Sequence, residues 1–164
     1  MNHLRDALIV LALSLLMMAA LGCSNFNYKN GAVMVDVKMS ADSLNKIVDN
    51  VGLESDDFVG KIEKIELIEP NIMRITGDFK LLGKEKKGSI DFAITTDGGD
   101  VKVDVVDSTM PGVDGETPAI KSFSNALSKA LSAFAAEGKD SKGGITDIKV
   151  KDGQLVFTLS LKVK

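Results

Sequence analysis

From residue 33 onward the chain alternates apolar and polar positions, the two-residue period of strands with one dry face. Val33, Val35, Val37 and Met39 alternate with Met34, Asp36 and Lys38. Met73, Ile75, Phe79 and Leu81 share one parity, opposite Arg74, Thr76, Asp78 and Lys80. Ile90, Phe92 and Ile94 face away from Asp91 and Thr95, and Val101, Val103 and Val105 oppose Lys102 and Asp104. Near the end, Ile148 and Val150 oppose Lys149 and Lys151, and Leu155, Phe157, Leu159, Leu161 and Val163 oppose Thr158, Ser160, Lys162 and Lys164. Lys61 to Ile68 reads as a further strand of less regular parity.

The joints carry fitting chemistry. Asp97-Gly98-Gly99-Asp100 and Asp152-Gly153 tolerate the positive φ of tight hairpins, Gly83 to Gly88 gives a longer loop, and Pro70-Asn71 breaks the chain. Hairpin joints imply an antiparallel sheet of about seven strands, wet on one side.

Two helices are available to cover its dry side. The first spans 41–51, with Ser40 as cap, a stripe of Leu44, Ile47, Val48 and Val51, and Gly52 as stop. The second opens with Thr117 as cap and Pro118 at the first helical position, and Gly138 stops it. Its stripe is Ile120, Phe123, Leu127, Ala130, Leu131 and Phe134. The expected fold is α+β: a curved antiparallel sheet around a long helix, in the order β-α-β4-α-β2.

The first 22 residues do not belong to this pattern. A short polar start with Arg5 is followed by the uncharged apolar run Ala7–Gly22, which reads as a cleaved signal peptide and is short for a spanning helix. The run ends at Cys23, the one cysteine of the chain. Ala20-Leu21-Gly22-Cys23 resembles a lipobox, departing from it in having Ala20 where leucine is usual. The resemblance implies a diacylglyceryl group on Cys23 and attachment to a membrane at the cell envelope, on the extracytoplasmic side. Ser24 after the cysteine resembles lipoproteins passed to the outer membrane, facing the periplasm, where a cell has two membranes. Plain secretion would leave a lone thiol in an oxidising compartment, and an uncleaved anchor is the third reading. Residues 23–31 are then a lipidated polar tether and 32–164 one domain.

Composition fits that division. The 164 residues are 45% hydrophobic and 26% charged, too apolar for disorder and sufficient for one core. A net charge of -3 argues against nucleic acid, which needs a basic patch. His3, the one histidine, departs with the leader, so the mature chain has no imidazole for a triad or a zinc site. No glycine-rich phosphate loop lies between a strand and a helix. Acidic groups occur at Glu54, Asp56 and Asp57 and at Asp104, Asp107, Asp114 and Glu116, without EF-hand spacing. They read as solvated turns and helix-start charges. The Lys84-Glu85-Lys86-Lys87 loop reads as a hairpin tip, with contact to anionic headgroups as its other use. Met110 reads as a packing residue, with a flexible lip as the alternative. No enzyme activity, metal or cofactor is expected.

The element order and size resemble the small bacterial members of the tubular lipid-binding (TULIP) superfamily. The resemblance rests on Ser40-Ala-Asp-Ser-Leu-Asn opening the short helix, Met73-Arg-Ile-Thr-Gly-Asp-Phe-Lys-Leu as first long meander strand, and Val105-Val-Asp-Ser-Thr at the meander's end. It covers residues 33 to 163. It implies a groove between sheet and helix that holds a lipid or other apolar molecule, lined by Phe79, Phe92, Phe123, Leu127, Leu131, Phe134, Phe157 and Leu159. The same apolar rows also suit a solid core, in which case the domain is an envelope protein-interaction module with an exposed strand edge as its binding surface.

Overall fold

A computed structural model of the chain describes residues 26–29, 32–55, 58–81, 84–136 and 144–162. In chain order the elements are β1 (Phe26–Lys29), β2 (Ala32–Met39), α1 (Ala41–Val51), β3 (Glu54–Ser55), β4 (Phe58–Ile68), β5 (Ile72–Leu81), β6 (Lys84–Asp97), β7 (Asp100–Ser108), α2 (Pro118–Ala136), β8 (Gly144–Lys151) and β9 (Gln154–Lys162). The expected order appears with two short strands added. Among the described residues no helix is long and apolar enough to cross a membrane. The leader, Cys23 and Gly138 lie outside the described residues.

Local chemistry explains the element ends. The Ser40 hydroxyl accepts from Ser43 N–H at 3.2 Å and so caps α1. The helix closes where Gly52, at φ 69°, donates to the Val48 carbonyl at 3.0 Å. The β8–β9 hairpin turns through Asp152 (φ 53°) and Gly153 (φ 70°), the positive-φ pair that a two-residue hairpin demands.

The strands form two antiparallel sheets, not one. β3-β4-β5-β6-β7 is a meander, and β1-β2-β9-β8 is a separate sheet. The reason lies at the edge of β7. Between β7 and β8 the chain forms α2, and α2 occupies the edge that β8 would need. β8 instead lies across the turn end of the meander. Its Ile145 N–H donates to the Gly99 carbonyl at 3.0 Å, and its Val150 N–H donates to the Pro70 carbonyl. Gly99 tops the β6–β7 hairpin, and Pro70, which follows a cis peptide bond, tops the β4–β5 turn. A register shift between Ile145 and Asp147 corrects the parity, so that Ile145, Ile148 and Val150 are all buried.

The tether expectation also changes. Phe26–Lys29 is a strand, paired antiparallel with Ala32–Val35 of β2. A strand therefore lies within the expected tether, in the sheet that crosses the turn end.

One core lies between these layers. It draws Met39, Leu44 and Val48 from β2 and α1, the inward rows of β5, β6 and β7, the α2 stripe, and Ile148, Leu155 and Phe157 from β8 and β9.

Candidate functional site

The eight residues expected to line a groove are brought together, but as packed core. Phe92, Leu127, Leu131 and Phe157 are 0% exposed, Phe79 is 1%, and Phe123 and Leu159 are 2%. A side chain facing an empty slot wide enough for an acyl chain would retain accessible surface; these retain almost none. Phe92 and Phe123 meet at a centroid distance of 5.4 Å and a tilt of 55°, a favourable aromatic pair. Phe134 is the exception. It is half-buried at the rim of the core, 6.1 Å from Phe157.

The acidic groups have ordinary partners. Asp104 pairs with Lys102 at 3.0 Å, and Glu116 pairs with Lys121 at 3.1 Å. The Asp114 carboxylate accepts from the N–H groups of Glu116 and Thr117 at 3.0 and 3.1 Å, forming the turn into α2. Asp56 and Asp57 lie outside the described residues. Among the described residues no group of three acidic, histidine or cysteine side chains is placed to hold a metal ion. Met110 is buried against Gly88, where a built Cβ would lie 2.5 Å from its Cγ, so it packs and forms no lip.

The outer face of the meander carries a row of charges in register across four strands: Glu66, Arg74, Asp91 and Asp107. Arg74 grips the nearly buried Asp91 with two bonds of 2.7 Å, the bidentate geometry in which a guanidinium fits a carboxylate best. Hydrogen bonding and charge from Asp91, aided by Glu66 and Asp107, raise the Arg74 pKa above its ordinary value. The Arg74–Asp91 pair in this row pins β5 to β6.

The exposed strand edges remain, and the chain treats them differently. β7 is the last strand of the meander, and α2 runs antiparallel along its edge. The Ser132 hydroxyl accepts from Val101 N–H at 2.8 Å, and the Ser128 hydroxyl accepts from Val103 N–H at 3.0 Å. Four helical residues rise about 6 Å, and two strand residues span about 6.7 Å. Serines four apart therefore match alternate amides. Ser128 donates its own proton to the Ser124 carbonyl at 2.7 Å, which leaves its lone pairs for the strand. The signal in the sequence is Ser124-x-x-x-Ser128-x-x-x-Ser132, which the stripe reading passed over.

β4 stands at the other side of the meander. The two-residue β3 covers only its first residues, with Gly60 N–H donating to the Leu53 carbonyl at 2.9 Å. Among the described residues, no backbone partner takes the outer edge of residues 61–68. The irregular parity of this stretch has a local cause. The register moves from Ile62–Gly77 directly to Lys64–Thr76, so Glu63 is an extra, unopposed residue. Lys87 reaches across to Glu63 at 2.6 Å and holds that carboxyl below its ordinary pKa. Ile62, Ile65 and Leu67 face the core side yet stay half-buried. Asn45 and Asp49 of α1 lie beside the same edge and, with Ile62, Glu63, Lys64 and Ile65, line an open cleft of about 330 Å³. The Asn45 Oδ1 atom is buried and has no hydrogen-bond donor.

A second open cleft, of about 480 Å³, lies at the far end of the meander between Lys61, Asp78, Phe79, Lys80, Glu85, Lys86 and Lys87. Its lysines alternate with Asp78 and Glu85, and Lys87 is already paired with Glu63, so its field is largely compensated. The β4 edge is thus the better candidate for a binding surface. No protein-family model matches the chain, and no curated protein matches it.

Proposed function

We propose that the chain is an exported, non-catalytic binding domain, held on a membrane by a diacylglyceryl group on Cys23, that works by pairing another polypeptide with the β4 edge. The observation that carries this reading is the contrast between edges. The chain supplies acceptors for Val101 and Val103 of β7 and for Ile145 and Val150 of β8, and among the described residues it leaves the outer edge of residues 61–68 of β4 without a backbone partner. An incoming extended segment would gain main-chain hydrogen bonds along that edge, the mode of strand addition. It would also cover the half-buried row of Ile62, Ile65 and Leu67.

The leader and the Ala20-Leu21-Gly22-Cys23 motif support the anchor. The place of work is then the cell envelope, on the extracytoplasmic side, and the outer membrane where two membranes exist. Because β1 belongs to the sheet crossing the turn end, that sheet is the part of the domain nearest the anchor.

A second reading keeps the TULIP kinship and its function, the binding of a lipid or other apolar molecule. The element order supports the kinship. The observation favouring the function is Phe134, half-buried over Phe157 at the rim of the core. Here α2 would part from the sheet to admit the ligand, exposing Phe92, Leu127 and Leu131. The closed core places this reading second.

The two readings separate in one experiment. The domain from residue 24 onward is purified gently without detergent, and an organic extract is analysed by mass spectrometry. The interaction module predicts an empty extract and no binding of an apolar fluorescent probe; a stoichiometric lipid would reverse the ranking. For the anchor, Cys23→Ala is expected to abolish acyl labelling and membrane attachment, and unchanged attachment would refute lipidation.

A further inference from the structure

We infer that the polypeptide taken up by the β4 edge is a second copy of this chain, paired with the first about a two-fold axis through Ile65. The inference rests on β4 being the binding edge and adds the identity of the occupant.

Its basis is that the edge is complementary to itself. In an antiparallel pair centred on Ile65, Lys64 stands opposite Glu66 of the second copy, and Glu66 stands opposite its Lys64. Both residues lie on the outer face, since Lys64 pairs with Thr76 and Glu66 with Arg74 in the meander. Within one chain they already bridge each other at 2.7 Å. In the pair, two such bridges face each other with opposite signs aligned, forming a closed set of four charges.

The inner face is complementary as well, and the bulge makes it so. Ile65 faces the core side, opposite Ile75, and it would meet Ile65 of the second copy. Glu63 is already looped out of register and tied to Lys87. Skipping it again places Leu67 opposite Ile62 of the second copy, and Ile62 opposite its Leu67. The three apolar residues that one chain leaves half-buried thus cover one another in two. The remaining charges nearby do not oppose this register. Lys61 meets Ile68, Arg74 stays behind Glu66 on its own strand, and Asp49 lies at the open rim of the α1 cleft.

A single strand pair is a small interface, which marks a transient association in solution. Attachment of both copies to one membrane raises their effective concentration and favours the pair.

The test uses the full chain expressed in a bacterial envelope, with Ile65→Cys added to place two thiols on the axis. Directly opposed residues on paired strands lie close enough for a disulfide with slight adjustment. Oxidation is expected to give a disulfide-linked dimer that the chain lacking the added cysteine does not give. Lys64→Glu and Glu66→Lys, each placed in that background, turn two attractions into repulsions and should lower cross-linking about tenfold. Combining both substitutions in one chain should restore it, and co-expressing the two single variants should yield the mixed dimer. Both residues are exposed or half-exposed, and thermal unfolding of the variants verifies that they fold. No dimer with Ile65→Cys, or a dimer indifferent to all the charge changes, would overturn the inference. An empty lipid extract alongside a monomer would leave β4 as an edge for a different protein, whereas a lipid-loaded extract would put the lipid reading first.

Discussion

The two outer strands of the meander differ in one respect. β7 and β4 are both edge strands of similar length, and both flank the same core. The β7 edge faces a helix whose serine hydroxyls, four residues apart, take its Val101 and Val103 amides. The β4 edge faces a cleft, and its protection is limited to a bulge, a short β3 and alternating charge. Unpaired edges invite pairing with other chains, and proteins usually blunt them. The chain covers two amides of one edge with its own hydroxyls and, among the described residues, leaves the outer edge of residues 61–68 of the other without a backbone partner, the contrast on which the proposed use of β4 rests.

The largest effect should come from the floor that both edges share. Phe92→Ala is expected to cost about 3–5 kcal/mol of unfolding free energy in urea, the range for a large side chain removed from a packed core. A loss well below that would mean that Phe92 lines open space, and the lipid reading would gain.

Next in size is the serine closure of β7. Ser128→Ala with Ser132→Ala leaves two strand amides without acceptors, at about 1–3 kcal/mol for each group that water cannot reach. Hydrogen exchange at Val101 and Val103 should accelerate while the β4–β5 ladder is unchanged. Equal acceleration on both sides would show that the serines do not protect β7 selectively.

A smaller effect is expected on β4. Ile65→Thr, at a half-buried position on an open edge, should cost under about 1 kcal/mol in the isolated domain. A core-sized penalty would show that β4 is more enclosed than its neighbours suggest.

The smallest effect concerns pH. The Lys87 ion pair holds the Glu63 carboxyl below its ordinary value of 4.5. A carboxyl whose folded pKa is depressed adds stability above the unfolded pKa and loses it as pH falls through the folded one. Lys87→Ala should therefore lower stability slightly at neutral pH, leave it unchanged at strongly acid pH where the carboxyl is protonated in both states, and so flatten the acid limb of a stability-against-pH curve. A steeper acid limb in the variant would contradict the pairing.

Much of this was legible in the residues. Alternation located the long strands, and Ser40 and Gly52 marked the ends of α1 as the structure has them. The eight proposed groove residues do assemble in one place, but alternation reports only which side is dry. It cannot tell a groove from a filled core, because both ask for the same apolar rows. The division into two sheets was hidden for a related reason. Periodicity marks strands and not their partners, and the deciding contacts are Ser128 and Ser132 on a helix read mainly for its apolar stripe. Phe26–Lys29 reads as tether in the sequence because four residues are too few to show a period. The uneven parity of Lys61–Ile68 was a true signal of the Glu63 bulge.

Amide hydrogen exchange measured at increasing protein concentration tests the contrast between edges most directly. Val101 and Val103 should be protected equally at every concentration, because their acceptors belong to the same chain. The outward amides of residues 61–68 should exchange quickly when dilute and slow as concentration rises. Protection of β4 that is high and independent of concentration, or fast exchange at Val101 and Val103, would contradict the account.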